Sequence, residues 1–122
     1  MTKIVKNIIE KALEKGYANK NGRMHLPYYI AELESQYQAR YNKDSGTLEF
    51  DHWGTMILKI DNVYSDKPII EHIYGQSKSD RDSIETIFMY FGLPYRVSYR
   101  PSTGVLSVLG NFGNGSIEER EF

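Results

Sequence analysis

The run Gly75-Gln76-Ser77-Lys78-Ser79-Asp80-Arg81-Asp82-Ser83-Ile84, continuing through Thr86-Ile87-Phe88-Met89-Tyr90-Phe91-Gly92-Leu93-Pro94, constrains the fold more than any other stretch. It reads as a helix with its start and stop signals in place. Ser79 or Asp80 is predicted to accept from the unpaired amides of the first turn, and Asp82 adds negative charge where the helix dipole favours it. Ile84, Ile87, Phe88 and Phe91 make one apolar stripe. Gly92 then supplies a left-handed C′ residue, Leu93 the hydrophobic contact after it, and Pro94 blocks continuation.

Upstream, Lys3 to Lys15 repeats the helical pattern. Val5, Ile8, Ile9, Ala12 and Leu13 share a face, Thr2 is placed to cap, and Gly16 ends the run. Asn19-Lys20-Asn21-Gly22 reads as a turn. A second helix is predicted from Pro27, because Ile30, Leu33, Tyr37 and Tyr41 stand three, four and four residues apart. Asn42–Gly46 closes it as a polar loop.

The pattern then changes to period two. Leu48, Phe50 and His52 alternate with Thr47, Glu49 and Asp51, and Met56, Leu58 and Ile60 continue the alternation, with Ile57 the one exception. Gly54 between them marks a bulge or a tight turn. Ile69 to Tyr74 is a third strand, reached through Asn62–Pro68. After the capped helix comes a hairpin whose loop, Pro101-Ser102-Thr103-Gly104, carries proline and glycine where turn chemistry wants them. That loop pairs Tyr99 with Leu106, Ser98 with Ser107, Val97 with Val108 and Arg96 with Leu109. Val97, Tyr99, Leu106 and Val108 then share one face, and Arg96, Ser98, Arg100 and Ser107 the other. A slip of one residue would mix the two sets.

These elements predict one α+β domain over residues 1–122: two N-terminal helices and a largely antiparallel sheet, with one long helix inserted before the C-terminal hairpin. Order is expected over about residues 3–109, with 110–122 a flexible acidic tail. The expected core is Ile8, Leu13, Leu33, Phe50, Leu58, Ile60, Ile84, Ile87, Phe88, Phe91, Val97 and Val108. A chain of 122 residues can bury such a core without covalent staples, and it contains no cysteine. Disulfides, thiolate metal sites and cysteine nucleophiles are therefore excluded, and a reducing, cytoplasmic setting is expected. The net charge of −1 is neither that of a dedicated nucleic-acid binder nor that of a DNA mimic. No long apolar run points to a membrane.

Chemistry-bearing residues are few. The three histidines are His25, His52 and His72. Neighbours in a strand face opposite ways, so Asp51 does not pair with His52, nor Glu71 with His72. A meeting of His52 and His72 across strands would make a small metal-dependent hydrolase the alternative reading. No cofactor, metal or catalytic residue is otherwise expected. The glycine-rich segments of the C-terminal region do not stand between a strand and a following helix, as a phosphate cradle requires. Arg96 and Arg100, with adjoining Tyr95, form the one local basic-aromatic cluster. Arginine and tyrosine anchor protein interfaces, and they also stack bases and hold phosphates.

His52-Trp53-Gly54-Thr55, the Gly75–Asp82 run, Phe91-Gly92-Leu93 and Arg100-Pro101 together resemble a pattern, over roughly residues 47–108, in small uncharacterised proteins of phages and prophages of Gram-positive bacteria. The resemblance implies no activity and no catalytic residues. It implies a context, in which short cysteine-free proteins bind a host or phage macromolecule and some disable host defence, CRISPR nucleases included. The expectation is a non-enzymatic inhibitor or regulator that binds a host or phage protein through Tyr95, Arg96 and Arg100. A nucleic-acid-binding hairpin is the alternative, and a homodimer is a further way to cover the same face.

Overall fold

The computed structural model describes residues 3–23, 33–65, 67–112 and 116–122. Helix α1 (Lys3–Lys15) forms where predicted, burying Val5, Ile8, Ile9 and Ala12, and Gly16 stops it at a φ of 85°. Helix α2 (Lys78–Tyr90) also forms where predicted, but its N-cap is Ser77, whose hydroxyl accepts from the Asp80 amide at 3.1 Å. Asp80 thus lies inside the first turn. The C-terminus closes as a Schellman motif: Leu93 N–H donates to Phe88 O at 2.8 Å and Gly92 N–H to Met89 O at 3.1 Å, with Gly92 at a φ of 64°.

Among the described residues, a strand stands where the second N-terminal helix is expected. Residues Leu33–Asn42 form strand β2, paired antiparallel with β1 (Tyr17–Arg23). The proposed start at Pro27 lies outside the described residues. The turn expected at Asn19–Gly22 is part of β1, where a bulge at Lys20/Asn21 takes up the irregularity. β3 (Thr47–His52), β4 (Thr55–Asp61) and β5 (Ile69–Ile73) complete a five-stranded antiparallel meander in the order β1-β2-β3-β4-β5. Ile57 breaks the alternation because it is the extra residue of a bulge: Leu58 pairs with Phe50 and Met56 with Asp51. Trp53 and Gly54, at φ of 50° and 78°, make the two-residue turn between β3 and β4.

β6 (Tyr95–Arg100) and β7 (Val105–Asn111) form the C-terminal hairpin in the predicted register, residue for residue. The tail departs from expectation. Ile117–Glu121 is strand β8, paired with β7 in a separate three-stranded sheet ordered β6-β7-β8. Its anchor is a stack on the inner side of that sheet, where the Arg120 guanidinium lies 4.1 Å from the centre of the Phe112 ring and Phe112 stacks on Tyr95 at 5.0 Å.

Both helices lie on one side of the five-stranded sheet, α1 across β1 and β2, α2 against α1, β4 and β6. Ala18, Tyr37, Ala39, Leu48, Phe50, Leu58, Ile60 and Ile73 face them. Tyr95, Leu106 and Val108 join the same core from the three-stranded sheet. Phe50 and Phe88 are fully buried, each contributing roughly 1.5–3 kcal/mol of transfer free energy. Of the expected core, Leu13, Phe91 and Val97 sit half-buried at its rim, and the side chain of Leu33 falls outside the described residues. No helix among the described residues is long and apolar enough to cross a membrane.

Candidate functional site

The outer face of the three-stranded sheet follows from its registers. Arg96, Ser98 and Arg100 of β6 alternate outward. Opposite them on β7 stand Leu109, Ser107 and Val105, and beyond these on β8 stand Glu119 and Glu121, with Ile117 next to Asn111. One flank of the face is therefore basic, the middle apolar with one buried serine, and the other flank acidic.

Both arginines have carboxylate partners. Arg96, its side chain 80 % exposed, donates through Nε to Glu85 of α2 at 3.1 Å. Arg100, 60 % exposed, reaches across β7 to within 3.7 Å of Glu119. The Ser107 hydroxyl donates to the same Glu119 at 2.8 Å. Beside Arg96 lies an open hollow of about 330 Å3, lined by Pro94, Arg96, Leu109, Gly110, Asn111 and Ile117, and its wall is almost wholly apolar. Of its lining residues, Ile117 is 78 % exposed and Leu109 37 % exposed.

Tyr95 does not belong to this face. It is 3 % exposed, edge-on to Phe88 at 5.5 Å and stacked on Phe112, and burial holds its phenol above the usual pKa. The alternation that turns Val97 and Tyr99 inward turns Tyr95 inward as well, two residues earlier. Sequence reasoning also missed Ile117, because an acidic tail gave no sign that it would pair.

The histidines take separate places. His52 lies on the helix-facing side of β3, stacked on Tyr37 at 4.8 Å, and its Nδ1–H donates to Asp80 of α2 at 2.6 Å. Both side chains of that pair are almost withdrawn from solvent. Asp51 points the other way and accepts a two-pronged bond from Arg40 at 2.9 and 3.1 Å. The carboxylate of Asp51 holds the Arg40 guanidinium more firmly protonated than usual. His72, exposed on β5, donates from Nε2 to the Met56 carbonyl at 2.8 Å. Its neighbour Glu71 lies beside Asp61, whose carboxylate raises the Glu71 pKa, while a hydrogen bond from Thr47 at 2.7 Å lowers that of Asp61. His25 lies outside the described residues. Among the described residues, no three histidine or acidic side chains converge on a point where one metal ion would sit. His52 and His72 are thus not brought together.

Compared with known proteins, the chain matches no protein-family model, no curated protein and no solved structure.

Proposed function

We propose that this chain is a non-enzymatic accessory protein of the phage type, an inhibitor or regulator that works by docking on a protein. The outer face of the β6-β7-β8 sheet is its docking surface, with Arg96 and Arg100 as polar anchors and Ile117 and Leu109 as apolar ones. The observation that carries this reading is Ile117, 78 % exposed beside an apolar hollow whose lining includes the largely exposed Arg96. An aliphatic side chain left in water beside an apolar wall gains by being covered, and arginine is among the residues that most often anchor interfaces.

A protein suits this face better than a nucleic acid. Glu85 and Glu119 already sit against the arginines, and Glu121 shares the face. A phosphate backbone would meet those carboxylates, with no net positive charge on the chain to draw it in. The phage resemblance supplies the class of target: host defence machinery, CRISPR nucleases among it.

The test is capture from a nuclease-treated bacterial lysate by the immobilised chain. Arg96→Ala with Arg100→Ala, and separately Ile117→Asp, should abolish capture of a protein target that the parent retains, with the thermal midpoint nearly unchanged. Capture that vanishes on nuclease treatment, or affinity that falls steeply with salt, would overturn the protein reading in favour of nucleic acid.

A further inference from the structure

We infer that the protein this face receives when no target is present is a second copy of the same chain. The inference rests on the reading of the face as a docking surface and adds the identity of one occupant.

Charge and apolarity run in a fixed order across the face. One row runs Arg96, Leu109, Glu119, from basic through apolar to acidic. The neighbouring row runs from Pro94, at the hollow, past Asn111 to the projecting Ile117. Two such faces packed on a two-fold axis parallel to the strands place β6 of each copy over β8 of the other. Arg96 then meets Glu119 of the second copy, and Ser98 meets its Glu121. Ile117 drops toward the hollow at Pro94 and Leu109, and the two Leu109 side chains meet near the axis. Each contact occurs twice, as an isologous interface requires. A two-fold axis across the strands would instead set arginine over arginine and glutamate over glutamate, which like charges oppose. The sequence of charges thus selects one of the two ways to stack the sheets face to face.

The face is small. Three strands about 4.8 Å apart and about six residues long, at about 3.4 Å each, span on the order of 300 Å2 in plan. Counting both copies, the contact spans about 600 Å2 in plan, below the roughly 1,600 Å2 total of a standard interface, so self-association is expected to be weak, at about tens to hundreds of micromolar. A contact that weak yields to a target competing for the same residues. Self-association and target docking exclude each other.

Sedimentation of the purified full chain over a concentration series reads this directly. The parent should double its mass as concentration rises through the micromolar range. Ile117→Asp, at a position too exposed to disturb folding, should remain a monomer throughout. Arg96→Glu/Arg100→Glu makes both flanks acidic, and Glu119→Arg/Glu121→Arg makes both basic. Each should be monomeric alone, and the two should associate when mixed in equal amounts. A parent that stays monomeric, a dimer that survives Ile117→Asp, or charge-reversed variants that fold but do not associate on mixing would each overturn the inference. A monomeric parent whose lysate capture still depends on Arg96 and Ile117 would leave the docking surface standing without the dimer. A dimer that captures nothing would do the reverse.

Discussion

Nδ1 of His52 donates to Oδ1 of Asp80 at 2.6 Å, tying the end of β3 to the first turn of α2. Ser77, not Asp80, caps the helix, so the Asp80 carboxylate is left to reach the imidazole. Removing that acceptor strands a nearly buried ring nitrogen. Asp80→Ala is expected to cost about 2 kcal/mol, and Asp80→Asn, which retains an acceptor oxygen, about 1 kcal/mol. Urea denaturation measures both. A loss below about 0.5 kcal/mol for alanine would mean that the contact contributes nothing to holding the helix.

Glu85 divides its carboxylate between two neighbours in sequence. Oε1 accepts from the Val97 amide at 2.8 Å, and Oε2 from Arg96 Nε at 3.1 Å. β6 ends its sheet, and an outward amide on an edge strand otherwise invites another chain. Glu85→Ala should cost about 1 kcal/mol and speed hydrogen exchange at Val97. Glu85→Gln should keep exchange slow, because an amide oxygen still reaches the strand. Equal exchange at Val97 in all three proteins would rule the contact out.

Much of this fold was legible where local signals and tertiary packing agree. In α2, the apolar stripe and the Gly92-Leu93-Pro94 stop point to one answer, and the structure ends the helix there. In the hairpin, the loop length and the alternation of Arg96, Val97, Ser98 and Tyr99 fix one register. β2 misled because Tyr37 and Tyr41 are four apart, a spacing that serves a helix face and a strand face equally. Ala39, the residue between them that also points into the core, is too small to announce the period of two. β8 was illegible because its partner surface, Phe112 and β7, is assembled only after folding. For the same reason half the docking face was missing from the sequence reading: Arg96 and Arg100 were visible by alternation, whereas Ile117, Glu119 and Glu121 reach them only through β7. His52 and Asp80, 28 residues apart, carry no local sign of their meeting.

Two glycines separate backbone strain from crowding. At Gly92 the φ is 64° and a Cβ would meet nothing within 4 Å, so Gly92→Ala should cost only the left-handed penalty, about 1 kcal/mol. At Gly110 a Cβ would collide with the Tyr95 ring and lie 2.5 Å from the Pro94 carbonyl oxygen. Gly110→Ala must push β7 away from the start of β6, at an expected cost of about 3 kcal/mol. Denaturation midpoints of the two variants should therefore differ clearly. Equal midpoints would mean that Tyr95 does not pack against Gly110.

Tyr95 is expected to make stability fall at alkaline pH. Its phenol is buried between Phe88 and Phe112, and desolvation raises its pKa above the ordinary 10.0, a shift that nearby Arg120 opposes. In the unfolded chain the phenol ionises at its ordinary value, so above that pH the unfolded state binds fewer protons than the folded one. Stability from this group is fully present below pH 10 and is lost as pH rises through the raised folded value. Tyr95→Phe removes the titrating group while keeping the ring stack. It gives up a hydrogen bond to the Pro68 carbonyl that is already long, at 3.4 Å, and so worth less than about 0.5 kcal/mol. Urea midpoints of the parent should fall as the pH rises above 10.0, and those of Tyr95→Phe should fall less. Tyr64 is also raised, chiefly by burial, but it is 67 % exposed, so Tyr64→Phe should follow the parent curve. If Tyr95→Phe tracked the parent across the whole range, the buried phenol would not be what links folding to alkaline pH.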